Sequence, residues 1–374
     1  MRLKLAVVLG VAWAAAIGTT AWAAVGNHFS PSEADVNVNK AISMLTSPDQ
    51  TNRIPQAFGY DNDENVLYIA QIQQGSGHEL SGDLVVTKID NSDTTNKLGY
   101  CLLKNFGHGA ALGVEPFSGS TASPKNAWIW VEVAPQPDSA GNAYGTKIAR
   151  LVCVPGNTYT YDKANNRITQ YNSAGNRVDT TARFFDLAPG STKVSATYDA
   201  TSDRVAVRAL VSGVWKYSVF SRTGIVPASV PLTTYGTQVA VSPTNLAVAN
   251  LQAPPGGEHQ SGLSFQGYTL YGDWIYTLVG NPYNPPDDTD KNLTAISAFS
   301  IDGAYKYVAK TPLDEYAYAS SVGSAGNYFE PEGMAIRVLA SGPRLRWGLA
   351  VYDSSSNRRL ATFEKQTLYA PTHA

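Results

Sequence analysis

The chain of 374 residues carries 28 basic and 30 acidic side chains, a formal net charge of −2, and 43% hydrophobic residues. A charge this close to zero argues against a nucleic-acid-binding protein, which usually shows a basic patch or stripe, and the hydrophobic content excludes wholesale disorder. Sparse charge, 32 glycines, 21 tyrosines and 7 tryptophans favour a turn-rich β protein over a helical one.

The first segment has the features of an export signal. Arg2 and Lys4 precede an apolar run that extends from Leu5 to Ile17, and Ala21-Trp22-Ala23 supplies the small-x-small pattern read by signal peptidase. We therefore predict a signal peptide over residues 1–23 and a secreted mature chain over 24–374. No later run approaches the ~20 apolar residues of a spanning helix, so we expect no membrane span.

The two cysteines, Cys101 and Cys153, each lie in an apolar run typical of a strand. In an oxidising compartment they are compatible with one disulfide, and equally with two buried thiols. No C-x-x-C motif is present, so neither redox catalysis nor a zinc knuckle is supported.

A weak internal repeat runs through the chain. His108 to Glu115 and His259 to Gln266 share the pattern H-x-x-x-L-x-[VF]-[EQ]. Together with related segments they give five equivalent positions, spaced by 59 to 79 residues, which are Gln56, Glu115, Val194, Gln266 and Glu332. Repeated units of several short strands are typical of a β-propeller. The repeat thus predicts an all-β, five-bladed propeller forming one domain, with Ala34 to Leu45 adding a strand to the last blade.

Several short motifs follow one another in a fixed order along most of the chain. They are Gln56-Ala57-Phe58-Gly59-Tyr60-Asp61, Leu67 to Gln71, Gly82 to Asp90, Phe106 to Glu115, Gln266-Gly267-Tyr268 with Trp274-Ile275-Tyr276, and Glu330-Pro331-Glu332-Gly333. Together they resemble the exported β-propeller family that groups teichoic acid biosynthesis protein C with phage receptor-binding tail proteins. The resemblance implies a propeller and a connection with cell-surface glycan polymers, and it carries no catalytic set. Val194 departs from the pattern, since the equivalent positions hold an acid or an amide.

The innermost strands of a propeller converge on one axis. We therefore expect Gln56, Glu115, Gln266 and Glu332 to form a polar cluster there, with His108 and His259 close by. Such side chains can hydrogen-bond to sugar hydroxyls or carboxylates at the axial mouth. They can also bind ordered water and one another, closing the channel without a ligand.

Two kinds of catalysis are compatible with this cluster. Glu115 and Glu332 are the natural carboxylate pair of a glycoside hydrolase. A polysaccharide lyase would instead need a base near neutrality, and His108 or His259 is the candidate.

Further residues are candidates for holding a substrate. Gln56, Gln266 and Arg208 can steady a substrate carboxylate. His78 lies in a glycine-rich connection, and Tyr283 lies in a proline-rich loop where it can stack on a sugar face.

Three carboxylates follow a Pro-Pro pair at Asp287, Asp288 and Asp290. Their spacing lacks the D-x-[DN]-x-[DN]-G pattern of a calcium loop, so an exposed acidic turn is favoured over a Ca²⁺ site. We predict no cofactor.

These observations lead first to a secreted, monomeric binding module for a cell-wall or other extracellular polysaccharide. A carbohydrate-active enzyme is the second hypothesis, and a scaffold for another secreted protein is the third. We expect no nucleic-acid partner.

Overall fold

The computed structural model describes thirteen ranges of the chain, and everything below refers to them. The ranges are 28–29, 36–38, 42–43, 53–178, 182–185, 190–225, 247–252, 263–283, 294–302, 306–310, 328–352, 358–365 and 368–369. The predicted signal peptide over residues 1–23 lies outside the described residues.

The described residues form an all-β fold, which confirms that part of the expected fold class. They contain two single-turn helices, α1 (His78–Ser81) and α2 (Arg222–Ile225). None of the described helices has the length and hydropathy of a transmembrane span.

The first half of the chain builds two sheets. Three short strands come first: β1 (His28–Phe29), β2 (Val36–Val38) and β3 (Ile42–Ser43). Sheet 1 begins with β4 (Pro55–Asp61), β5 (Val66–Ile72), β6 (Leu84–Asp90) and β7 (Lys97–Lys104). Sheet 2 contains β8 (Gly113–Glu115), β9 (Trp128–Pro137) and β10 (Ala143–Val152). Sheet 1 is then extended by β11 (Thr158–Asp162), β12 (Arg167–Tyr171) and β13 (Arg177–Val178), and β14 (Arg183–Phe185) completes sheet 2.

The second half builds three more sheets. Sheet 3 contains β15 (Ser191–Asp199), β16 (Arg204–Val211), β17 (Val214–Ser221) and β18 (Ala247–Gln252). Sheet 4 contains β19 (Ser264–Tyr271), β20 (Trp274–Gly280), β21 (Thr294–Ser300) and β22 (Lys306–Lys310). Sheet 5 contains β23 (Phe329–Leu339), β24 (Gly342–Tyr352) and β25 (Arg358–Lys365), and β26 (Leu368–Tyr369) pairs with β1.

The N-terminal strands close onto the last sheet. Val36 of β2 pairs with Lys365, and Ile42 of β3 pairs with Leu360. The segment predicted to add a strand to the last repeat, Ala34 to Leu45, contains both of these strands.

One edge strand of each sheet lies next to edge strands of other sheets. β4 contacts β8 and β23, β15 contacts β8 and β19, and β19 contacts β23. We call these five the inner strands. The inner strands enclose a narrow space of about 20 Å³. Its lining includes residues from all five of them, among which are Gly59, Val114, Tyr198, Thr269 and Ala335. The inner strands therefore converge on a common centre, and larger side chains fill the space between the sheets.

A disulfide joins sheet 1 to sheet 2. Cys101 in β7 is bonded to Cys153, just beyond β10, with their Cα atoms 5.9 Å apart. Both residues are buried in the apolar core between these two sheets. Of the two alternatives that the sequence leaves open, the structure contains the disulfide.

We predict that the double replacement Cys101→Ala, Cys153→Ala destabilises the fold. The crosslink spans 52 residues, and restricting the unfolded chain over such a loop stabilises the folded state by about 2–4 kcal/mol. Denaturant unfolding followed by tryptophan fluorescence should show a loss of this size. The oxidised and reduced forms of the unsubstituted protein provide the control, and an unchanged free energy of unfolding would contradict the prediction.

Candidate functional site

A polar cavity lies where the inner strands begin, and all five sheets contribute to it. We call it the central cavity. Its volume is about 410 Å³, and its lining is Gln56, His108, Ala110, Tyr144, Lys193, Arg208, Trp215, Leu263, Ser264, Phe265, Gln266 and Glu332. Five of the residues singled out from the sequence are therefore brought together.

β-bulges deliver three of these side chains. The ladder between each inner strand and its neighbour shifts register between Pro55 and Ala57, between Phe265 and Gly267, and between Pro331 and Met334. A bulge leaves an extra residue outside the regular pairing and re-aims its side chain. The residues within these three irregularities include Gln56, Gln266 and Glu332, and all three line the cavity.

Glycine is required beside two of these bulges. A Cβ on Gly267 would lie 2.9 Å from the Cα of Gly333, and a Cβ on Gly333 would lie 3.0 Å from the Cα of Ala57. Both glycines also have positive φ, at +150° and +73°, a region that residues with side chains avoid. The close approach brings the bulges of sheets 4, 5 and 1 side by side, which places their polar side chains together.

The third sheet contributes Lys193, the residue before the predicted position. A fourth register shift falls between Thr192 and Ser195, and Lys193 has φ of +49°. Val194 is buried in the apolar core between sheets 2 and 3, whereas the ammonium of Lys193 lies 2.9 Å from a carboxylate oxygen of Asp138. The presence of Val194 suggested that the polar lining would be interrupted at this sheet. It is not interrupted, because Lys193 lines the cavity there.

Glu115 does not belong to the central cavity. It ends β8, opposite Trp128, whereas the cavity adjoins the beginnings of the inner strands. Its carboxylate accepts hydrogen bonds from Arg150 at 2.6 and 2.8 Å and from the indole N–H of Trp130 at 2.9 Å. The expected grouping of Glu115 with Glu332 is therefore wrong, because an arginine and a tryptophan hold Glu115 at the other end of its strand.

The loop before β8 takes the place of Glu115 and brings His108 to the cavity. The His108 ring packs on that of Tyr144, with centroids 4.8 Å apart. Its Nδ1 atom is buried without a hydrogen-bond partner in the described structure. Burial lowers the pKa of His108 to about 4, so its imidazole is neutral at physiological pH.

Glu132 fixes this loop, a role that the sequence analysis missed. Its carboxylate is fully buried and accepts hydrogen bonds from the backbone N–H groups of Gly109 and Ala110, at 2.6 and 3.1 Å, and from that of Gly145. Burial raises the pKa of Glu132 to about 7, while the backbone donors act in the opposite direction. The available signal was an acid within the otherwise apolar run from Trp128 to Val133.

Arg208 is held flat between two aromatic rings. Its guanidinium carbon lies 3.3 Å from the ring centroid of Trp215 and 3.5 Å from that of Phe265. Cation–π stacking of this kind fixes the plane of the guanidinium. The cavity therefore presents an oriented cation.

In contrast to the cation Arg208, Glu332 is an acid whose charged form is disfavoured by burial. Its carboxyl is buried, and this burial raises its pKa well above the usual range for a glutamate; the nearby Glu330 raises it further, whereas Arg358 lowers it. A raised pKa favours the uncharged carboxylic acid, which can donate a hydrogen bond to an anion.

The remaining candidates lie elsewhere. The Nδ1 atom of His78 is 2.8 Å from Asp83, and His78 does not line the central cavity. Tyr283 is 4% exposed and stacks on Phe329, so it is a core residue and not the sugar-stacking aromatic that we expected. His259 lies outside the described residues, as do the three aspartates Asp287, Asp288 and Asp290. Among the described residues, there is no group of three or more side chains suited to holding a metal ion.

Comparison with protein-family models finds no match, and comparison with curated proteins finds none. Among solved structures, the chain is similar to the tail fibre of Staphylococcus aureus phage P68, with a TM-score of 0.53 at 14% identity. The match covers 89% of this chain and 53% of the tail fibre, so the chain spans about half the length of that protein. At this identity the likeness shows a shared fold. In fold alone, it agrees with the resemblance of the sequence motifs to a family that includes phage receptor-binding tail proteins.

Two carbohydrate-active enzymes are more distant matches. A GH43 β-1,3-galactosidase gives a TM-score of 0.38 at 8% identity over 87% of this chain and 59% of the enzyme. The Trypanosoma rangeli sialidase in complex with the inhibitor DANA gives 0.29 at 10% identity over 88% and 59%. TM-scores this low carry no argument about the site.

We predict that Glu132→Gln disorders the His108 loop. The amide keeps one acceptor oxygen, but its NH₂ group then faces a backbone N–H, which leaves buried donors unsatisfied at a cost of about 1–3 kcal/mol each. Urea unfolding should show a loss in this range, and Glu64→Gln, at the part-exposed tip of the β4–β5 hairpin, is the control. Equal stability of Glu132→Gln and the unsubstituted protein would contradict the prediction.

His108 should make stability depend on pH. Because its pKa is about 4 in the folded chain and about 6.5 in the unfolded chain, the unfolded state binds more protons between these values. Stability should therefore fall as pH is lowered from 6.5 to 4, with a contribution of about 3 kcal/mol from this residue. Unfolding free energies of the unsubstituted protein and of His108→Gln, compared across this range, isolate the contribution because other groups titrate in both. Parallel curves would contradict the assignment.

Proposed function

We propose that this protein is a secreted, five-bladed β-propeller whose central cavity binds an extracellular glycan polymer. Each of the five sheets is one blade. Three observations support this arrangement: the five inner strands are neighbours around one centre, equivalent bulges recur at the start of four of them, and the N-terminal strands join the last sheet.

The lining of the central cavity carries the functional proposal. Ligand sites typically enclose about 300–1,000 Å³ and combine apolar or aromatic walls with a few convergent polar groups. Here a cavity of about 410 Å³ places two amides, Gln56 and Gln266, beside the aromatic residues Trp215 and Phe265. Amides hydrogen-bond to sugar hydroxyls, and aromatic faces stack on the apolar face of a sugar ring. In the described structure the amide of Gln56 has no hydrogen-bond partner, which leaves it available to a ligand.

The charges favour an anionic polymer. Arg208 is a cation, the ammonium of Lys193 is paired with the carboxylate of Asp138, and the buried Glu332 favours its uncharged form because its pKa is raised. The cavity therefore has a positive balance, which suits a polysaccharide with carboxylates or a teichoic-acid-like polymer with phosphates. The resemblance of the sequence motifs and the likeness in fold to a phage tail fibre support a cell-surface glycan polymer as the ligand.

A polysaccharide lyase is the second candidate, and the contact between His108 and Tyr144 favours it. In β-elimination a base removes the proton beside the substrate carboxylate, and an acid protonates the departing sugar oxygen. In this hypothesis His108 is the base, Tyr144 is the acid, and Gln56 and Gln266 hold the carboxylate. Burial lowers the pKa of His108 to about 4, below the near-neutral value that such a base requires, so binding ranks first. A hydrolase using Glu115 and Glu332 loses its support, because those residues do not share the cavity. The open cavity also gives no support to a pure scaffold.

We predict that Gln266→Ala weakens binding of an acidic polymer by about 10-fold, because a net hydrogen bond to a charged or polyol ligand contributes about 1–2 kcal/mol. Affinity electrophoresis or calorimetry with polygalacturonate and with poly(ribitol phosphate) measures this effect and separates the two anion chemistries. Gln136→Ala, an exposed glutamine outside the cavity, is the matched control and should bind normally.

Incubation of the protein with the same polymers also distinguishes binding from cleavage. A rise in ultraviolet absorbance from unsaturated uronates, lost in His108→Ala while polymer retention persists, would establish a lyase. Retention of polymer with no product would establish a binding protein. Failure of the unsubstituted protein to retain any of these polymers would overturn the proposal.

A further inference from the structure

A second polar chamber adjoins the central cavity on the side of sheets 1 and 5. We call it the side chamber. Its volume is about 340 Å³, and it shares Gln56, His108, Gln266 and Glu332 with the central cavity. Its other wall includes Arg53, Glu79, Glu330 and Arg358. The shared residues therefore form the boundary between two compartments, and a long ligand can touch both.

Arg358 is the oriented cation of this chamber. Its guanidinium carbon lies 3.7 Å from the ring centroid of Tyr352 and 4.2 Å from that of Tyr328. Its Nε and Nη1 atoms are buried and have no hydrogen-bond partner in the described part of the chain. No carboxylate oxygen of the described residues lies within 4.0 Å of it. Within the described ranges, the charge of Arg358 is thus held in place by aromatic rings and is not paired with a carboxylate at salt-bridge distance.

Arg208 in the central cavity is held in the same way, between Trp215 and Phe265. The two arginines come from different sheets, β16 of sheet 3 and β25 of sheet 5, and lie on either side of the shared boundary. Clamping a guanidinium between rings fixes its fork of N–H donors, and such a fork matches the geometry of a carboxylate or phosphate.

The acids of the side chamber do not cancel the charge of Arg358. Glu79 lies 3.9 Å from Arg53 and is paired with it. Glu330 accepts a hydrogen bond from the hydroxyl of Tyr328 at 2.5 Å, and burial raises its pKa. Glu332 has its pKa raised further. The chamber thus offers a guanidinium beside two carboxyls whose charged form burial disfavours, while Arg358 acts on both in the opposite direction.

We propose that the side chamber is a second anion subsite, in which Arg358 binds one charged group of a glycan whose other charged group is bound by Arg208. This inference rests on the proposed function and adds to it a ligand class, a polymer with at least two anionic groups within the length of the two compartments. Gln56, Gln266 and Glu332 then contact the segment between those groups.

The test is calorimetric titration of the full chain with defined oligogalacturonides, and in a parallel arm with oligo(ribitol phosphate), at several salt concentrations. We expect Arg358→Gln to weaken binding of the longer oligomers about 10-fold and to lower the slope of log affinity against log salt by about one charge. Arg208→Gln should do the same, and the double variant should show both losses. Arg177→Gln, an exposed arginine on the outer strand β13, is the matched control and should leave affinity and slope unchanged.

A second variant separates the charge of Arg358 from the geometry of its guanidinium. Arg358→Lys keeps the cation and loses the fork, so it should retain the salt slope and lose a few-fold in affinity. Circular dichroism and unfolding curves of each variant confirm that the fold is intact.

The outcomes are distinct. If Arg208→Gln weakens binding and Arg358→Gln does not, the central cavity alone binds the polymer, and the inference is overturned while the proposed function stands. If the unsubstituted protein binds neutral malto-oligosaccharides of the same length equally well, the anionic ligand class is overturned. If it binds none of these oligomers, the proposed function and the inference both fail.

Discussion

The close contact between backbones of neighbouring inner strands is the constraint on which the rest of the structure depends. A Cβ on Gly59 of sheet 1 would lie 2.6 Å from Val114 of sheet 2, and a Cβ on Gly113 would lie 2.7 Å from the backbone of Tyr198 in sheet 3. Gly267 and Gly333 make the corresponding contacts between sheets 4, 5 and 1. Side chains at these positions would push the strands apart. Their absence allows five sheets to meet around one narrow centre, which determines where every other part of each sheet lies.

The same convergence explains why the polar residues collect at one end. In the narrow middle, the inner strands leave only about 20 Å³, so their side chains there must be small or point into the packing between sheets. Where the strands begin, bulges break the ladder and turn the extra residues toward the centre. The strand starts are therefore the place where polar side chains of different sheets can meet around a space large enough for a ligand. The opposite end is occupied by a buried ion pair, Glu115 with Arg150, together with Trp130.

Much of this organisation could be predicted from sequence, because the alternating runs and recurring glycines are local features that directly indicate strands and turns. The residues brought to the cavity by bulges were also predictable wherever the motif kept its register, as at Gln56, Gln266 and Glu332. The prediction failed at Glu115 because β8 has only three residues, and the loop carrying His108 replaces the first part of the inner strand. It failed at Val194 because adjacent residues of a strand face opposite sides, and the bulge presents Lys193 instead. Arg358 depends on contacts between distant segments, for which the sequence carries no local signal. Glu132 was marked in the sequence only as an acid within an apolar run.

Burial has opposite consequences for the acids and the arginines around the two compartments. A carboxyl group can avoid the cost of desolvation by retaining its proton, which is the direction seen for Glu332 and Glu330. A guanidinium has no such option, because it cannot lose its proton in a protein at physiological pH. It must keep its charge, and here aromatic faces, rather than carboxylates, stabilise it. A wall built from both kinds of group, here three acids and four lysine or arginine side chains, therefore becomes more positive as it is dehydrated. A ligand that enters the site removes water and strengthens this difference between the carboxyls and the guanidiniums. The preference of the site for anionic groups should therefore be greatest once the ligand is bound.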